Sequence, residues 1–355
     1  MLFPVSRRLS SSRAAALVVA LAAVAASCGS SKSAPTTTIV LPQRVVVSRI
    51  GGDSESSLFA SLYEQALDNA GLRVVRQNAV ADQATAYAGL QNGSLQVVPE
   101  YSGDFLDYLH SIGATPPATT VAPSTTSSST TDSTTGGTTP AGESSTSTPP
   151  DDSSTSSTVA LPVGPPRTID EQVALIKSLL PTTITVAAVS TAEHKQVIAC
   201  SKAATDAHVL GTLTDLGVNA DVLTLGGPAG FETSTPMGIA TLKSAYHANF
   251  KKFVELASDK IEAAVKDGTI DCAVVNSTDP LIAGQSMTTL LDDKALVPPN
   301  GAIALVSVAA ATPEVLAALD TVTAKMNTQV LAGMMNEIIV KGTSPDLLAS
   351  EFLQK

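Results

Sequence analysis

Residues 44–103, RVVVSRIGGDSESSLFASLYEQALDNAGLRVVRQNAVADQATAYAGLQNGSLQVVPEYSG, carry two alternating periodicities. Arg44 to Arg49 is a short β-branched run. Ser56 to Ala70 has helical spacing at Leu58, Leu62 and Ala66, reinforced by Phe59 and Tyr63, and ends at Gly71, a residue suited to a helix C-terminus. Leu72 to Gln77 reads as a second strand, Ala81 to Asn92 as a second helix closed by Gly93, and Leu95 to Pro99 as a third strand. A β-α-β-α-β order predicts parallel strands with helices covering the sheet.

The same alternation continues further along the chain. Ile169 to Leu180 reads as a helix opened by Thr168, and Thr185 to Val189 and Val197 to Cys200 as strands. A second α/β unit follows: Val222 to Leu225 (strand), Met237 to Tyr246 and Asp259 to Asp267 (helices), and Ile270 to Val275 (strand). Ala302 to Val308 is a further strand, and the ending is helical over Pro313 to Met326, Asn327 to Lys341 and Ser344 to Leu353. Two such units suggest a hinged two-lobe receptor with its ligand between the lobes.

Two segments stand outside this pattern. Arg7, Arg8 and Arg13 precede an apolar run of 13 residues from Ala14 to Ala26, the length of a signal-peptide hydrophobic region and short of the roughly 20 residues that span a bilayer. Val24-Ala25-Ala26-Ser27-Cys28-Gly29 resembles a bacterial lipobox, with Ala25 at the usual leucine position. Residues 1–27 are therefore expected to be a signal peptide, Cys28 a lipidated N-terminus, and 28–43 a membrane-attached tether. The alternative is a secreted chain cleaved after an Ala-x-Ala site. Residues 119–158 hold 26 Ser or Thr in 40 and no Lys, Arg or aromatic residue; too apolar-poor to offset ordering entropy, residues 113–164 are expected to form a disordered insert.

The 355 residues carry 21 Lys and Arg against 32 Asp and Glu, a net charge of −11, and loss of the first 27 residues would take it to −14. No basic cluster remains there for a polyphosphate, so nucleic acid is not an expected partner. Cys200 and Cys272 each lie in an apolar strand-like run; an exported pair could form one disulfide or stay as two buried thiols. His110, His194, His208 and His247 have no metal-ligand or catalytic spacing, although His194 could line a cleft. A nucleophile elbow, a zinc-protease helix, a P-loop and a dinucleotide fingerprint are all absent from the sequence, so neither enzyme activity nor a metal or cofactor is expected.

Particular segments resemble the substrate-binding components of ABC importers for glycine betaine, choline and related osmoprotectants. They are Arg44 to Leu109, including Leu62-Tyr63-Glu64-Gln65-Ala66-Leu67, Leu90-Gln91-Asn92-Gly93 and Val97-Val98-Pro99-Glu100-Tyr101-Ser102-Gly103; Leu223-Thr224-Leu225-Gly226-Gly227-Pro228 with Phe231-Glu232-Thr233; Asp271 to Asp279; and Leu291-Asp292-Asp293-Lys294 with Pro298-Pro299. The resemblance implies the α/β fold of class II periplasmic binding proteins: two lobes, each a sheet flanked by helices, with the ligand cleft between them. Lobe one would take residues 44–112, 165–190 and 303–355, and lobe two 191–302. It also implies capture of a small polar solute by lobe closure, with permease and ATPase partners and an exported, lipid-anchored location on the outer face of the cell membrane. A surface sensory or adhesion module that kept the fold without transport is the alternative.

In that family a cage of aromatic faces holds a quaternary ammonium, because ring quadrupoles attract a cation that has no hydrogen to donate. Carried over by position, the motif tyrosine is Tyr101, but the other cage aromatics fall on Gln196, Asn276 and Asn300, and the threonine after the motif falls on Asp104. Ser54 opens the first helix at the ligand end, Thr233 closes Phe-Glu-Thr, and the ligand-holding arginine falls on Ser234. Each missing face forfeits about 0.5–2 kcal/mol. Amide and carboxylate replacements favour a polar ligand that hydrogen-bonds, such as a polyol, an amino-acid derivative or a primary amine. Tyr87, Tyr108 or Phe231 could instead rebuild a cage. Asp53 and Asp104 could bind a ligand amine or be solvated loop acids, and Asp279 reads as a loop cap.

Overall fold

The computed structural model describes residues 44–116, 168–284 and 286–354, all within one compact unit spanning 42–355. The signal peptide, Cys28, the tether and almost all of the 113–164 insert lie outside the described residues.

The first half of the chain forms β1 (Arg44–Val47), α1 (Ser54–Asn69), β2 (Arg73–Arg76), α2 (Gln83–Asn92), β3 (Val97–Tyr101), α3 (Ser102–Ser111), α4 (Ile169–Leu179) and β4 (Ile184–Ala187). Next come β5 (Gln196–Ser201), α5 (Lys202–His208), α6 (Leu213–Asn219), β6 (Thr224–Gly227), α7 (Ile239–Tyr246), β7 (Lys252–Glu255), α8 (Ser258–Lys266), β8 (Cys272–Asn276), α9 (Pro280–Ala283) and β9 (Met287–Thr289). The chain ends with β10 (Ala302–Ser307), α10 (Pro313–Thr323), α11 (Thr328–Ile339) and α12 (Pro345–Gln354).

Local chemistry sets these boundaries. Asp53, in extended conformation, accepts a hydrogen bond from the Ser56 amide and starts α1 two residues earlier than the hydrophobic spacing implies. Gly71, at φ 78°, turns the chain away after it. Thr168 and Glu171 form a reciprocal capping box at α4.

Two five-stranded sheets result, ordered β2-β1-β3-β10-β4 and β7-β6-β8-β5-β9. In the first, β1 runs parallel to β2 and β3, and β10 is antiparallel to both β3 and β4. The second has the same plan: β6 is parallel to β7 and β8, and β5 is antiparallel to β8 and β9. Helices cover both faces. On the first sheet, α1 and α10–α12 bury Leu58, Leu62, Leu67, Leu319 and Leu331 on one side, while α2–α4 bury Leu90, Leu106 and Ile176 on the other. The chain passes from the first sheet to the second between β4 and β5 and returns between β9 and β10. These two crossing segments lie side by side, with Ser190 N–H donating to Ala302 O, Ala302 N–H to Ala192 O and His194 N–H to Asn300 O.

Several elements differ from the sequence reading. β6 is shifted two residues on, onto Gly226 and Gly227, because the strand is central and closely covered: a Cβ on Gly226 would stand 2.7 Å from Ile270 Cδ1. The sequence reading also omits α5, α6, β7, α9 and β9, each of seven residues or fewer, and α3, which buries Phe105, Leu106 and Leu109 but follows β3 with no turn between them. Cys200 and Cys272 are register partners across β5 and β8, fully buried, and joined by a disulfide. No helix among the described residues is long and apolar enough to cross a membrane.

The disulfide closes a sequence separation of 72 residues, so replacing both cysteines with alanine should lower the unfolding free energy by about 2–5 kcal/mol. Chemical denaturation of the double variant should show that loss, with the far-ultraviolet dichroism of the folded state unchanged.

Candidate functional site

The N-terminus of α1 and the C-terminal end of β3 meet the crossing segment and the loop after β8. A cavity of about 490 Å³ lies there, lined by Asp53, Ser54, Glu55, Tyr101, Asp104, His194, Asn276, Thr278 and Asp279, with Met335 and Ile339 from α11. A neighbouring cavity of about 730 Å³ shares Asp53, Tyr101 and Asp104 and extends to Glu100, Asp107 and Tyr108. The first is built from both sheets and the crossing strand, the second from the first sheet alone.

Glu55 is the centre of the polar network. It is 7% exposed, and a carboxylate so far from water needs donors. The Tyr101 hydroxyl donates to Oε1, Thr278 Oγ1 donates to Oε2 at 3.0 Å, and His194 Nδ1 lies 3.1 Å from both oxygens. The Glu55 hydrogen bond, followed by nearby negative charge, holds the His194 imidazole above its ordinary pKa against the opposing effect of burial. Burial, then the charge of Glu55, raises the Tyr101 phenol well above its usual range, which keeps it a donor. Its ring meets Phe59 edge-on at 6.1 Å and tilts against His194 at 5.5 Å.

Of the residues singled out from sequence, Ser54, Tyr101, Asp104 and Asn276 come together around this cavity, and His194 joins them. Asp53 and Asp279 do so as well, each also capping a helix through its own side chain. Three others stand apart from it. Gln196 pairs in register with Asn276 but lines a separate cavity of about 590 Å³ with Lys195 and Leu213. Thr233 is exposed in a single helical turn, and its hydroxyl is directed to the Gly230 carbonyl. Asn300 is spent mostly on the backbone: Oδ1 accepts from the Gly103 and Asp104 amides at 2.8 and 3.2 Å, and Nδ2 donates to His194 O at 2.7 Å and to Asp104 Oδ2 at 3.2 Å. That geometry makes Asn300 a positioning residue between the end of β3 and the crossing strand.

Among the described residues, no aromatic cage is rebuilt around the central cavity. Phe231 is 1% exposed and stacks on Phe253 within the second sheet's core. Tyr87 and Tyr108 pack on each other and on Phe105, and only Tyr108 reaches the neighbouring cavity. The roles of Glu55 and Thr278 were missed. Glu55 is visible in the sequence only as the acid beside Ser54 where the first helix opens, and nothing in the local sequence links it to residues 139 and 223 positions away.

Two similarly wound α/β sheets, crossed twice by the chain and enclosing a polar cavity at their junction, define a two-lobe binding protein of the periplasmic type. The chain belongs to the family described as the substrate binding domain of ABC-type glycine betaine transport systems, which matches residues 43–355. It is a family of solute-binding components, not of enzymes. The carnitine transport binding protein OpuCC of Listeria monocytogenes is 29% identical over 148 residues, 41% of this chain. That match spans 48% of OpuCC, about half its length. The fold is shared with a glycine betaine/carnitine/choline ABC transporter structure (TM-score 0.64, 18% identity, covering 87% of this chain and 97% of that one). It is equally shared with apo YehZ from Escherichia coli (TM-score 0.64, 18% identity, 89% and 98%).

Glu100 yields a test of the site's electrostatics. Burial pushes its carboxyl up from 4.5 to about 7, only partly offset by hydrogen bonds from the Tyr101 amide and Gln83. The folded state therefore holds this proton more tightly than the unfolded state, and stability falls as pH rises from about 4.5 through 7. E100Q should match the wild type near pH 4 and exceed it above pH 8 by about 2–3 kcal/mol, read from paired denaturation curves at the two pH values.

Proposed function

We propose that this protein is an extracytoplasmic solute-binding component of an ABC importer of the glycine betaine type. It captures a small polar solute between its two lobes and delivers it to a permease driven by an ATPase. The observation that carries this reading is the cavity of about 490 Å³ at the junction of the sheets, to which both sheets and the crossing strand contribute polar side chains. A solute in contact with Glu55 and Tyr101 on one side and Asn276, Thr278 and Asp279 on the other favours the closed arrangement by its differential contact with the two lobes. Specificity is altered from quaternary amines, since Tyr101 is the sole Phe, Tyr or Trp among the described residues lining this cavity and one ring does not enclose a trimethylammonium group.

Export and lipid attachment complete the proposal. The Arg7-to-Ala26 signal and the lipobox-like Ala25-Ala26-Ser27-Cys28 support anchoring through Cys28. C28A should release the protein from the membrane fraction into the soluble fraction, with loss of incorporated fatty-acid label.

The binding reading is tested by thermal shift of the protein with glycine betaine, choline, carnitine, polyols, amino acids and primary amines. A solute at 100 times its dissociation constant should stabilise the folded state by about 2.7 kcal/mol. Y101A should weaken that solute at least tenfold by calorimetry, because it removes a wall of the cavity and a donor to Glu55. Retention of full affinity in Y101A would place the solute elsewhere.

A further inference from the structure

If the cavity between the sheets holds the solute, as proposed above, its walls fix the charge of that solute. Together with the adjoining cavity it presents six carboxyl side chains, Asp53, Glu55, Glu100, Asp104, Asp107 and Asp279. His194 is the sole basic side chain among the described residues lining either cavity. Its ring is already engaged with Glu55. A solute carboxylate would meet Glu55 and Asp279 in a poorly screened space with no cation left to receive it. A cation meets the opposite situation: burial already holds the Asp279 carboxyl above its usual range, and a nearby positive charge would relieve that penalty.

Hydrogen-bond capacity narrows the class further. Tyr101 turns toward Phe59 and His194 and is tied by its hydroxyl to Glu55, so ring faces contribute little. Acceptors are in surplus: Asp279 caps Leu281 through Oδ1 and Asp104 accepts from Asn300 through Oδ2. The second oxygen of each accepts no hydrogen bond from a described residue. Such oxygens match N–H donors, which a quaternary ammonium lacks.

We infer that the solute is a small organic ammonium ion bearing N–H donors and no carboxylate, with Glu55, Asp104 and Asp279 as the residues that select it. Glu55 acts mainly by excluding a second carboxylate, while Asp104 and Asp279 receive the N–H groups directly.

Isothermal titration of the full chain with four probes tests this: ethanolamine, 1,4-diaminobutane, choline and glycine betaine. The primary ammonium ions should bind at least tenfold more tightly than choline and glycine betaine. D279N keeps the Oδ1 cap and should weaken the primary ammonium ions about tenfold while leaving the thermal midpoint of the free protein nearly unchanged. Choline or glycine betaine binding as tightly as the primary ammonium ions would overturn the inference and leave the solute-binding reading standing. Binding of a neutral polyol in place of all four probes would do the same. Silence toward these probes, carnitine, polyols and amino acids alike would remove both.

Discussion

The buried carboxylate of Glu55 is the constraint around which the two sheets are arranged. A carboxylate out of water is tolerable only when its lone pairs are met by donors, and here the donors come from three distant parts of the chain. Tyr101 ends β3 of the first sheet, His194 lies on the strand crossing between sheets, and Thr278 follows β8 of the second. The network therefore closes only when the sheets are brought together. The same three donors place a hydroxyl, an imidazole and an aromatic ring around the cavity, so the interaction that joins the lobes also shapes the site.

The crossing segments are the covalent link between the two sheets. The backbone hydrogen bonds among Ser190, Ala192, His194, Asn300 and Ala302 make a short two-stranded ribbon, and Asn300 ties that ribbon to the start of α3 through Gly103 and Asp104. Gly103 is required there, since a Cβ would lie 2.8 Å from Asn300 Oδ1. Thr278 and Glu55 come from opposite sheets, so the polar network that a solute would touch also bridges them. Under the lobe closure proposed above, contacts made inside the cavity would favour one arrangement of the lobes.

The alternation of β-branched runs with helical spacing over 44–103 made the first sheet readable, because buried strands and amphipathic helices need those periods whatever surrounds them. The parallel order of β1, β2 and β3 followed from the helical crossovers. Two kinds of element were not readable: β7 is a four-residue strand at the sheet edge, and α3, although amphipathic, begins directly after β3 with no intervening turn signal. Within the site, Tyr101 and Asn276 were found because they sit at strand ends marked by recognisable motifs. Gln196 and Asn300 were also placed by motif, but their side chains turn elsewhere, one to a separate cavity and the other to backbone amides.

The sequence by itself determined the strongly periodic elements, the α/β alternation and an acidic, aromatic-poor chain, since each depends on local periodicity or composition. Tertiary structure alone decided which polar groups share the cleft. Residues 46, 139 and 223 positions from Glu55 become its hydrogen-bond partners, and no local pattern records that meeting. The cause is desolvation: a side chain's role as ligand contact, hinge pin or network centre is set by what surrounds it once water is excluded, and only the folded chain supplies those surroundings.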